Sequence, residues 1–184
     1  MKINDLRPGY GIKMDGKVFV VVSVEHRTPG NLRAFIQLTY KNVQTGQTLD
    51  KRFNPAEEVD VIDLDRRTME YLYSDNTGAT FMDTETYDQA TIPPAVLGDA
   101  LLYLRPNAQT VVLFHGTSAL LVELPSSVEL VVKDTPPGIK GATATNQLKE
   151  ATLETGLATR VPAFIAIGET IKVSTADGSY LSRA

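Results

Sequence analysis

The chain has no cysteine among its 184 residues, which excludes a disulfide framework and thiol chemistry. Only two histidines occur, His26 and His115, so no His/Cys cluster stands at metal-ligand spacing. No run approaches the ~18 consecutive apolar residues of a membrane span. The first residues, MKINDLRPGYGIKMDGK, lack the apolar core of a signal peptide, and together these absences favour the cytoplasm. There is no Walker loop, no Rossmann glycine pattern and no G-x-S-x-G elbow. The acidic pairs Glu57-Glu58 and Asp83/Glu85 have nothing nearby to push one pKa away from the other, so they read as solvated faces and not as an acid/base couple. A non-enzyme without metal or cofactor is expected.

A strong excess of charge of either sign is also missing. The formal net charge is -4, which argues against non-specific binding to nucleic acid by phosphate neutralisation. Its distribution is uneven: Lys and Arg number nine against eight Asp and Glu in residues 1–64, three against nine in 65–130, and six against five in 131–184. The acid sits in the middle, so an RNA ligand would be gripped by the two ends.

What is present is β structure, in a chain 42% hydrophobic that can bury a core. Residues 10–14 lead into Asp15-Gly16, a strong two-residue hairpin signal. Val18, Val20, Val22 and Val24 then alternate, and Ala34, Ile36, Leu38 and Tyr40 alternate on the return, at the period of two that predicts half-buried strands. Between them, Thr28-Pro29-Gly30-Asn31-Leu32-Arg33-Ala34 reads as the exposed tip of a hairpin. A further strand spans 48–53. Residues 63–67 form a polar break and a candidate domain junction. Hairpins are predicted at 68–73 with 79–82, turning at 75–78, and at 110–114 with 119–124. Residues 92–98 fit a helical turn with proline at its start. After a strand at 128–132, the Gly-, Pro- and Thr-rich stretch 135–146 reads as an exposed loop. Strands at 151–155, 159–165 and 170–174 follow, with a turn at 176–178. Evenly spaced short strands with turn signals predict an all-β chain of three consecutive small barrels, each of a size at which some domains fold alone. The boundaries expected are 1–64, 65–128 and 129–184.

Several of these stretches resemble bacterial elongation factor P, over essentially the full length. The most specific are residues 149–156, Val161-Pro162-Ala163-Phe164-Ile165, Ile167-Gly168-Glu169, Ile171-Lys172-Val173 and Gly178-Ser179-Tyr180. Tyr71-Leu72-Tyr73 with residues 81–87 is similar to that family's middle domain. Pro29-Gly30, Ala34-Phe35 and Asn42-Val43-Gln44-Thr45-Gly46 are similar to its first. The resemblance implies a KOW/SH3-like barrel followed by two OB-fold barrels, in an L-shaped, tRNA-like arrangement. It implies a monomer that binds the ribosome, both rRNA and ribosomal proteins, beside the P-site peptidyl-tRNA and relieves stalling on consecutive prolines by positioning the substrate.

Carried over residue by residue, the loop of Pro29, Gly30, Asn31, Leu32 and Arg33 would reach toward the peptidyl-transferase centre. Asn31 takes the place of the family's modifiable lysine or arginine. An amide can donate and accept hydrogen bonds but carries no cation, so Asn31 is expected to be unmodified and Arg33 is the nearest charge. Leu32 stands where glycine is common. Gly141, Ala142 and Thr143 match a Gly-Asp-Thr stretch that in the family lies near the E-site codon of the mRNA, with the acidic member missing. Tyr180 and Arg183 match positions that approach the anticodon stem of the tRNA. A diverged OB-fold relative, binding nucleic acid or a protein away from the ribosome, is the alternative.

Overall fold

The computed structural model describes residues 1–30, 33–138 and 147–184. Its strands are β1 (Gly11–Met14), β2 (Lys17–Arg27), β3 (Phe35–Asn42), β4 (Thr48–Phe53), β5 (Asp60–Ile62), β6 (Asp65–Asp75), β7 (Gly78–Asp83), β8 (Gln89–Ile92), β9 (Gln109–His115), β10 (Ser118–Glu123), β11 (Ser127–Asp134), β12 (Leu148–Leu153), β13 (Ala158–Pro162), β14 (Thr170–Ser174) and β15 (Tyr180–Arg183). They form three five-stranded antiparallel sheets, ordered β4-β3-β2-β1-β5, β10-β9-β6-β7-β8 and β13-β12-β11-β14-β15. The only α-helix among the described residues, α1 (Pro94–Leu97), starts with proline in its first turn. There a missing N–H costs nothing.

The chain divides into two compact units, residues 1–67 with 112–121, and residues 68–111 with 122–184. In the first, Ile12, Phe19, Val21, Ile36, Leu38, Tyr40 and Phe53 form the main core, joined by Ile3 from a single 3-10 turn at Ile3–Asp5. The β1–β2 turn is tight because Asp15 and Gly16 both adopt positive φ, at 51° and 75°, as a type I′ hairpin requires. In β3 the expected alternation holds from Ile36 onward, with Ile36, Leu38 and Tyr40 all buried. Ala34 lies before the strand and is exposed.

The strand before the tip departs from the expected pattern. Val18, Val20, Val22 and Val24 do not share one buried face, and Val22 is 48% exposed. The β2–β3 register shifts between Val21 and Ser23, so Val21 faces Tyr40 while Ser23 faces Thr39. One extra residue in β2 resets its alternation. Below this bulge both faces of β2 are covered. Phe19 and Val21 enter the main core, while Val18 and Val20 meet Val43, Leu64, Leu113, Leu120 and Leu121 in a second cluster. Beyond it, Val24 alone packs against the core.

The polar stretch at 63–67 is likewise more than a break. Asp65, Arg66 and Arg67 open β6. Arg67 is 2.7 Å from the Asp65 carboxylate and lies over the Phe114 ring at 4.6 Å. A strand needs apolar side chains only where a face is covered, and in β6 this begins at Met69 and Tyr71.

In the second unit Met69, Tyr71, Ala79, Phe81 and Ile92 are buried along the middle sheet. Leu130, Val132, Leu153, Val161, Ile165, Ile171 and Val173 form the core of the last one. Tyr103 packs against that core, and Leu102 accepts a 2.6 Å hydrogen bond from Thr155 through its carbonyl. Burial, followed by the charges of Asp99 and Asp177, raises the Tyr103 pKa.

Candidate functional site

The tip loop is carried on the longest hairpin of the first unit. β2 has eleven residues, about 35 Å of extended chain. Its far end pairs His26 with Ile36 and Arg27 with Phe35, where the ladder ends. Pro29 is half-buried, whereas Gly30, Arg33 and Ala34 are exposed. Asn31 and Leu32 lie outside the described residues.

The register sorts the side chains around the tip into two faces. Ile36 faces Phe53 across β3 and β4, and Leu38 faces Lys51, so this face runs into the core. The opposite face carries Arg27, Phe35 and Arg52. Arg27 is tied to Glu25 at 2.7 Å, which neutralises it locally. Arg52 lies over the Phe35 ring with its guanidinium carbon 4.9 Å from the centroid. Such a stack leaves the hydrogen-bonding edge of the guanidinium available. Sequence alone does not place Arg52 and Phe35 together at the tip. They stand seventeen residues apart, and only the β3–β4 register brings them into contact.

The expected codon-side loop is described in part. Thr135 donates to the Glu150 carbonyl at 2.8 Å, and Lys149 donates to the Pro136 carbonyl at 2.7 Å. Gly141, Ala142 and Thr143 lie outside the described residues.

Tyr180 and Arg183 are both on β15. Tyr180 is half-buried against the last core. Arg183 donates to Glu169 at 3.1 Å and lies over the Phe164 ring at 4.8 Å. The turn before them is held by Asp177, which accepts from the Ser179 hydroxyl and backbone N–H at 2.7 and 3.0 Å. Those two bonds hold its carboxyl below the usual carboxylate range. Asp75 is lowered in the same way by the Thr77 hydroxyl and N–H.

Among the described residues neither histidine is placed with a chemical partner set. His26 is exposed at the end of β2, and His115 is exposed with Nδ1 3.1 Å from the Asp63 carbonyl. Asp83 accepts from the N–H groups of Glu85 and Thr86, which gives it a turn-forming role. Among the described residues no group of three His, Asp or Glu is spaced to hold a metal, and no helix is long and apolar enough to cross a membrane. What the tip offers chemically is hydrogen-bond donors, cations and a stacked ring on a stiff hairpin.

Three family models match in order: the elongation factor P KOW-like domain over residues 2–59, the elongation factor P OB domain over 64–122, and the elongation factor P C-terminal domain over 128–183. Curated relatives match end to end. Elongation factor P of Acidothermus cellulolyticus is 47% identical over 181 residues, covering 98% of this chain and 97% of its own. That of Acidobacterium capsulatum is 48% identical, covering 97% and 96%. That of Salinispora arenicola is 47% identical, covering 98% of each. With the KOW-like barrel and two OB-type sheets in the same order along the chain, this protein belongs to the elongation factor P family of translation elongation factors.

Proposed function

We propose that the protein binds the ribosome next to the P-site peptidyl-tRNA and promotes peptide-bond formation at polyproline stalls by positioning the substrate. The observation that carries this is the end-to-end match to elongation factor P together with the long β2–β3 hairpin that leads to the tip. The ribosome makes the bond, so the factor's contribution is orientation, an entropic gain that needs stiffness and no acid or base of its own. It therefore acts as a non-enzyme, as a monomer in the cytoplasm, with domains at 1–64, 65–128 and 129–184. Pro29, Gly30, Asn31, Leu32 and Arg33 face the peptidyl-transferase centre. Gly141, Ala142 and Thr143 lie toward the E-site codon, and Tyr180 and Arg183 toward the anticodon stem.

Asn31 is unmodified. Protein from its native source then has the sequence mass, and excess mass mapped to Asn31 would refute this. The function is tested in reconstituted translation with cognate ribosomes on a Pro-Pro-Pro template. Adding the protein should raise the rate through the stall about tenfold or more, or ~1.4 kcal/mol of barrier. If Arg33 supplies the missing cation, Arg33→Ala removes most of that gain and Asn31→Ala little. If backbone shape and the amide suffice, the order reverses. No stimulation by the wild-type protein would refute the function and favour a nucleic-acid or protein binder off the ribosome.

A further inference from the structure

In residues 163–169, between β13 and β14, Phe164 is 62% exposed and Ile167 is 59% exposed. Large exposed apolar groups on a loose loop would mean little. This loop is fastened at several points. Ile165, between the two, is 1% exposed within the last core, and its N–H donates to the Pro162 carbonyl at 3.1 Å. Ala166 N–H donates to a Glu169 carboxylate oxygen at 3.1 Å. Gly168 N–H donates to the Val132 carbonyl at 2.8 Å, and Val132 N–H returns a 2.9 Å bond to the Glu169 carbonyl. Because Ile165 points inward, its neighbour Phe164 is driven outward and held there.

One side of Phe164 is occupied. Arg183 lies over the ring at 4.8 Å and is fixed by the same Glu169 that ties the loop, through a 3.1 Å bond to its other carboxylate oxygen. Glu169 thus orders both members of the stack. The result is a preassembled step of a ring and a guanidinium. Guanidinium planes and aromatic rings are the two surfaces on which proteins stack unpaired RNA bases.

We infer that Phe164 and Arg183, held by Glu169, form a stacking platform for an unpaired RNA nucleotide. This rests on the reading that the protein works on the ribosome, and it adds Phe164 to the residues proposed to meet RNA. A base can stack on the step without displacing Arg183. An apolar pocket of a protein would have to strip the guanidinium from the ring or bury the Arg183–Glu169 pair, which costs more than it returns unless every charge is matched. Since Glu169 already neutralises Arg183, the contact works by stacking and adds little to counterion release. Its loss should weaken binding without flattening the salt dependence.

The test uses the full chain and short single-stranded RNA, with a blunt-ended, fully paired RNA duplex as the control. The Phe164 ring resonances should shift with the single strand and not with the duplex. Phe164→Leu should weaken binding about tenfold, a factor typical of one lost base stack, at an unchanged slope against salt. Phe164→Tyr should bind like wild type, and both variants should melt like wild type because the side chain is exposed. On ribosomes, a photoreactive benzophenone side chain in place of Phe164 should crosslink to RNA. Crosslinks to ribosomal protein alone, or equal binding by wild type and Phe164→Leu, would overturn the platform. Polyproline rescue unaffected by Phe164→Leu would count against the platform and leave the proposed function standing. Phe164-dependent binding of single-stranded RNA without any ribosome effect would do the opposite.

Discussion

Replacing Gly78 by alanine is expected to cost the second unit most of its stability. Gly78 opens β7 at φ +145°, and a Cβ there would stand 2.1 Å from the Ile92 carbonyl oxygen and 2.9 Å from its carbon. Both obstacles are backbone, so no side chain can swing aside. Ile92 is itself fixed, fully buried and paired with Ala79 across β7 and β8. The substitution combines a φ that non-glycine residues rarely adopt with an overlap that forces the two strands apart. Each effect is worth ~1–3 kcal/mol, and together they reach the range where single changes unfold small domains. Amide exchange read residue by residue should show protection lost at Thr80 and Phe81 while Val21 and Leu38 in the first unit keep theirs. Wild-type protection at Thr80 in Gly78→Ala would refute the steric account. Gly156→Ala, in the same unit, is the control. It shares a positive φ of 88° but has nothing within 4 Å of the added Cβ, so only the strain component should appear.

The second large effect is at the root of the tip. Ile36 is fully buried and sits in β3 one residue from the tip end, facing His26 on one side and Phe53 on the other. Ile36→Ala should destabilise the first unit by about 2–5 kcal/mol, through lost transfer free energy and an unfilled cavity. Gln37→Ala, on the outer face, should stay within about 0.5 kcal/mol of wild type. Urea midpoints followed by tyrosine fluorescence give the comparison, with Tyr10 and Tyr40 reporting on this unit. The proposed function adds a second readout. With Ile36→Ala the tip hangs from a loosened strand end, so polyproline stimulation should fall even at temperatures where the protein remains folded. Full stimulation by a folded Ile36→Ala protein would mean that tip placement does not depend on this packing.

These two residues also show what can be read without coordinates. Ile36 is legible because β3 keeps a strict period of two and one of its faces is covered. The β1–β2 turn is legible because Asp-Gly satisfies the two positive φ values that the turn demands. The bulge at Val22 is not, since Val18 to Val22 is a run of apolar residues and β-branched side chains fit either face of a strand equally well. Only the neighbours on β3 decide which valine is left out. The steric role of Gly78 is equally hidden. The Asn-Thr-Gly sequence marks a turn, but the approach of the Ile92 backbone comes from a strand fourteen residues on. The side chains proposed for function divide in the same way. Arg33 is visible as the nearest cation in a local loop. Arg52 over Phe35, and Phe164 under Arg183, depend on register between strands and on which of two adjacent residues the core takes. The pattern Ala163-Phe164-Ile165 does not say that Ile165 wins.

The bulge in β2 gives the tip hairpin the mechanics of a cantilever. Its root is clamped on both faces, and only the five residues from Ser23 to Arg27, about 17 Å of strand, project with one face supported. Reach can therefore be tuned without disturbing the clamp, but in fixed steps. Removing two residues from each strand of the projecting part draws the loop back by about 7 Å and leaves every side chain on its present face. Removing one turns Arg27 and Phe35 toward the core and Ile36 toward solvent. For a lever whose use depends on how far it reaches, length is quantised in pairs of residues.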